Sequence, residues 1–137
     1  MEPLIAASML TAVASALKSQ SWDVISNFAG RLLRTKTEPD LVVSSPDGRV
    51  YVIEAKIGRA DPHFTEIAQV ERLAADVERI DEKSEVIPVL VTDAPFSAAM
   101  TEMAGDVGVK VVLSGGSAEA IAKSVVDELT RKTGDGS

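Results

Sequence analysis

The chain has 137 residues, 45% of them hydrophobic and 26% charged, enough for one compact domain with a real core and short for two. It contains no cysteine, which excludes disulfides, thiolate metal ligands, cysteine nucleophiles and iron–sulfur clusters. A formal net charge of -7 argues against a protein that grips nucleic acid through a general electrostatic field.

The apolar run from Leu4 to Leu17 lacks the basic flank of a secretory signal and is too short to span a bilayer. Ile5, Met9, Val13 and Leu17 recur every fourth residue while Ser8, Thr11, Ser15 and Lys18 lie away from them, which predicts a packed amphipathic helix. The expectation is therefore a cytoplasmic protein without a membrane segment. A short strand follows from Trp22 to Ser26, and residues 27–38 carry no decisive pattern. Between Arg31 and Arg59 the local charge is +2, from Arg31, Arg34, Lys36, Arg49, Lys56 and Arg59 against Glu38, Asp40, Asp47 and Glu54. This strip is either a local contact for a phosphate backbone or ordinary solvated surface.

The strongest local signal is a β-hairpin, with strands 40–45 and 49–56 around Pro46-Asp47-Gly48. Proline, aspartate and glycine in that order suit a three-residue loop in which a type I turn precedes a left-handed residue. Beyond it the spacing predicts a helix over 61–81, a buried strand over 86–92 and a helix over 97–106 capped by Ser97. A strand over 109–113 and a last helix over 117–132 complete the series. The order α, β, β, β, α, β, α, β, α implies a mixed sheet with helices on both faces, in one domain over 1–133 with a disordered tail at 134–137.

Pairing Ser45 with Arg49 across the loop and counting back sets Asp40 opposite Glu54, on a shared face of the sheet. Lys56, two residues on, points to that face and Ala55 to the other. Charges at the end of strands as apolar as these are costly unless compensated. Two carboxylates on neighbouring strands offer the hard oxygen donors that Mg²⁺ or Mn²⁺ prefers, and an amine beside them suits a water-activating, charge-stabilising role. The alternative is that Glu54 and Lys56 pair with each other at a solvent-facing strand end and that Asp40 is a turn residue after Pro39.

Pro39-Asp40, a hairpin and then Glu54-Ala55-Lys56 resembles the PD-(D/E)XK nuclease superfamily of restriction endonucleases, Holliday-junction resolvases and related repair nucleases. The resemblance covers about Leu4 to Leu113. It implies a restriction-endonuclease-like α/β core, αβββαβ, with the last helix, strand and helix as a C-terminal αβα extension. It further implies a metal-dependent endonuclease acting on duplex or branched DNA. Asp40 and Glu54 would be metal ligands, the Ala55 carbonyl an added ligand and Lys56 the catalytic lysine. Gln69 matches a glutamine that many members carry on the following helix, although Leu73 stands where some branches place a tyrosine. Resolvase-like members add a first-helix glutamate, which residues 4–20 do not supply.

That gap and the acidic total charge motivate a second reading, a nuclease-fold module that no longer cuts and serves as a DNA-binding or protein-assembly subunit. A third is a small-molecule-binding domain built on the 86–113 βαβ unit. So small a body also suggests a homodimer or a larger protein partner. Of the remaining features, His63 reads as a helix-entry residue, Gly115-Gly116-Ser117 as a tight turn with Ser117 as cap, Asp93 as a loop starter and Trp22 as a core anchor.

Overall fold

The computed structural model describes residues 2–25, 40–57, 64–80, 85–94 and 97–131. Helix α1 (Glu2–Lys18) buries Met9, Val13 and Leu17 completely and leaves Ser8, Thr11, Ser15 and Lys18 exposed, as the four-residue spacing requires. It ends in a Schellman motif in which the Trp22 N–H donates to the Leu17 carbonyl and the Ser21 N–H to Lys18. Ser21 occupies the left-handed position at φ 70°, where glycine is usual, and Trp22 is thereby turned into the same core as Leu17.

Strand β1 (Asp23–Val24) has two residues, shorter than the 22–26 expected, although the Ile25 N–H still donates to the Val42 carbonyl at 2.8 Å. Strands β2 (Leu41–Ser44) and β3 (Val50–Lys56) form the hairpin. Its turn closes with the Ser45 N–H on the Arg49 carbonyl at 2.8 Å and the Gly48 N–H on the Ser45 carbonyl at 2.9 Å. Gly48 lies at φ 91°, a conformation that a side chain would strain. Helix α2 (Phe64–Ile80), strand β4 (Val86–Thr92), helix α3 (Ala98–Asp106), strand β5 (Lys110–Leu113) and helix α4 (Ala118–Thr130) follow. Ser97 and Ser117 cap α3 and α4, each accepting a backbone N–H at 3.1 Å.

The five strands lie in chain order, antiparallel from β1 to β3 and parallel from β3 to β5. Pro88 sits within β4 one residue before the first pair with β5, Val89 with Lys110, so the missing N–H interrupts no bond on that side. Alternation along the strands builds two cores. Val43, Tyr51, Ile53, Val89, Val91 and Val112 face α1 and α4, whereas Val42, Val50, Val52 and Leu90 face α2 and α3. Helices thus cover both faces of a mixed sheet. Among the described residues no helix is long and apolar enough to cross a membrane. Residues 27–38, His63 and the 134–137 tail lie outside the described residues.

Candidate active site at the carboxyl end of the sheet

The hairpin runs in the register counted from its turn: Ser44 with Val50, Val43 with Tyr51, Val42 with Val52 and Leu41 with Ile53. The next step sets Asp40 against Glu54, and two hydrogen bonds fix it there. The Asp40 N–H donates to Glu54 Oε2 at 2.7 Å, and the Ala55 N–H donates to Asp40 Oδ2 at 2.9 Å. Each carboxylate therefore commits one oxygen to the backbone across the ladder, and the pair is held by strand geometry rather than by side-chain rotamers alone.

Glu54 and Lys56 lie on the α2 face with Val50 and Val52, and Ala55 packs on the opposite core with Tyr51 and Ile53. Glu54 is only 5% exposed, so the solvent-facing strand end considered as the alternative does not describe it. Burial pushes its carboxyl up from 4.5 to about 7, and the neighbouring Asp40 charge adds to the rise. The Asp40 N–H and the charge of Lys56 pull the other way without cancelling it. Asp40 itself is exposed and Lys56 half-buried, so the group runs from a buried carboxylate to an open one.

In the parallel ladder Glu54 neighbours Leu90 and Lys56 neighbours Thr92. Thr92 is 1% exposed, and its Oγ1 accepts the Ala94 N–H at 3.2 Å, closing the end of β4 beneath the site. Helix α2 connects two parallel neighbours and so runs back over them, bringing its first turns above the carboxyl ends of β3 and β4. Gln69 is half-buried there, one turn before Leu73, which packs against Val52. Glu66, one turn earlier again and buried, was not singled out from the sequence. Its only signal was its spacing from Gln69 along one helix flank.

Two carboxylate donors from adjacent strands suit a hard divalent cation, and a cation would offset the charge that burial disfavours at Glu54. Among the described residues no cluster of three His, Cys, Asp or Glu side chains forms, and these residues supply Asp40 and Glu54 as the paired donors at this point. Arg49 does not join them: it pairs with Asp47 at 2.9 Å at the hairpin tip, about 23 Å along β3 from Lys56 at 3.3 Å per residue. Arg31, Arg34, Lys36 and Arg59 lie outside the described residues. Trp22 is core, buried with its ring 5.5 Å from that of Tyr51. Gly116, at φ 102°, makes the tight turn before the Ser117 cap, and Asp93 is an exposed residue just past β4.

No protein-family profile and no curated protein matches the sequence. Among solved structures, the chain is similar over 77% of its length to a repair endonuclease from Pyrococcus abyssi, with 16% identity and a TM-score of 0.57. It is similar over 86% of its length to a protein of unknown function, with 21% identity and a TM-score of 0.55. The chain spans 44% of the first of these proteins and 66% of the second. Element order, the mixed sheet with helices on both faces and these two likenesses agree: the chain has the restriction-endonuclease-like fold.

Proposed function

We propose that the chain is a metal-dependent nuclease that hydrolyses phosphodiester bonds of DNA. The observation that carries this reading is the reciprocal pair of backbone bonds that binds Asp40 and Glu54 together at the buried carboxyl end of β3, with Lys56 two residues away on the same face. Asp40 and Glu54 would hold Mg²⁺ or Mn²⁺, with the Ala55 carbonyl, water and substrate phosphate as further oxygen donors. Bound there, the cation would supply Lewis acidity and lower the pKa of a coordinated water. Lys56, on the same face two residues from Glu54, would orient the attacking water and offset charge that develops on the phosphoryl oxygens. Gln69, from α2, would add an amide for positioning. The fold is shared with a repair endonuclease, which favours nucleic acid over other phosphodiesters as substrate.

Cleavage of plasmid and branched DNA with Mg²⁺ or Mn²⁺ tests the reading. Wild type is expected to cut, while Asp40→Ala and Lys56→Ala proteins with unchanged circular dichroism lose at least 100-fold in rate. Equal cutting by all three would show that the site lies elsewhere.

A second reading, a non-cutting module for binding or assembly, is favoured by the -7 charge and by α1, whose residues 4–18 carry no acidic side chain. Calorimetry separates the two. Saturable Mn²⁺ binding that disappears in Asp40→Asn supports the enzyme, and no heat at millimolar metal supports the module.

A further inference from the structure

The geometry points to Leu113 as a substrate-contacting residue of this same site, an apolar side chain that packs against a base of the bound polynucleotide. The inference rests on the nuclease reading. Lys56 pairs with Thr92, and Thr92 with Leu113, so the three form one transverse row across β3, β4 and β5. Residues in register across parallel strands point to the same face, which here is the face of Glu54 and α2. Two strand spacings put Leu113 about 10 Å from Lys56. At a rise of 3.4 Å per nucleotide, that separation is about three base steps from a phosphate held at Lys56.

Leu113 is 56% exposed and is the only large hydrophobic side chain so exposed among the described residues. Its neighbours in the row are functional or closed: Lys56 half-buried at the site, and Thr92 buried with its hydroxyl occupied. The strand end is also tied down, because the Ser114 N–H donates to the Thr92 carbonyl at 3.0 Å and holds the end of β5 against β4. A fixed, exposed aliphatic group beside a phosphate-handling site has the chemistry of the apolar wedges that press on base steps and unstack them. With so acidic a surface, gripping the substrate through an apolar contact needs no additional cation.

Leu113→Ala, with Leu113→Met as the conservative partner, tests the contact. Cutting kinetics, DNA affinity and fluorescence of an adenine analogue placed two to four nucleotides from the mapped cut are measured for each. The expected result is a roughly tenfold rise in KM with kcat within twofold, loss of the unstacking signal, and recovery of both in Leu113→Met. If the wild type binds DNA without cutting, the same tenfold change is read in Kd. Cutting with KM and fluorescence unmoved by Leu113→Ala overturns the contact and leaves the nuclease reading standing. A wild type that neither binds nor cuts overturns both. A Leu113→Ala protein whose sedimentation mass halves while fluorescence is retained assigns the leucine to a contact between copies, and that too overturns the proposal.

Discussion

At Glu54 burial and the Asp40 charge favour the neutral acid, and the backbone N–H and Lys56 favour the carboxylate. The first two win, with the carboxyl raised from 4.5 to about 7. Because the folded, metal-free protein holds this proton more tightly than the unfolded chain, the resulting stabilisation is full below pH 4.5 and is lost as pH rises through about 7. Its size is on the order of 3 kcal/mol. Thermal melts without metal between pH 4.5 and 8 are therefore expected to fall more steeply for wild type than for Glu54→Gln. Parallel curves would mean that Glu54 ionises as it does in water. A cation between the acids favours the charged form, so Mn²⁺ affinity is expected to climb over the same interval.

The hairpin is the element on which the site depends, and it was legible because each of its parts is local. Pro46-Asp47-Gly48 dictated the loop, the loop dictated the register, and the register put Asp40 against Glu54 with no tertiary information. The serine caps of α3 and α4 and the four-residue spacing in α1 were equally local. What could not be read depends on neighbours far along the chain: the exposure of Leu113, the burial of Glu66, and β1, which pairs over only two residues. Placing α1 with α4 on one face and α2 with α3 on the other likewise required the sheet order. Gly48 gives the hairpin a test of its own. With open space around a Cβ built there, Gly48→Ala costs only the left-handed conformation, about 1–2 kcal/mol in urea denaturation. A neutral change would place the turn in another conformation.

For the molecule as a whole, the sheet divides labour: one face, under α1 and α4, is apolar core apart from Lys110, which pairs with Glu128 of α4, while the other gives way from core to polar groups toward the carboxyl end of β3. On the proposed function, net charge sets the terms on which DNA reaches that end. A body of -7 can neutralise only a few phosphates, so log Kobs against log salt is expected to have a slope no steeper than about -4. A slope near -8 would reveal a basic surface larger than the described residues contain. The central claim, that Asp40 and Glu54 form one cation site, is tested most directly by a crystal grown with Mn²⁺ and measured at the manganese absorption edge. The account predicts an anomalous peak within about 2.2 Å of oxygens from both carboxylates. Ordered side chains with no peak between them, or a peak bound elsewhere alone, would contradict it.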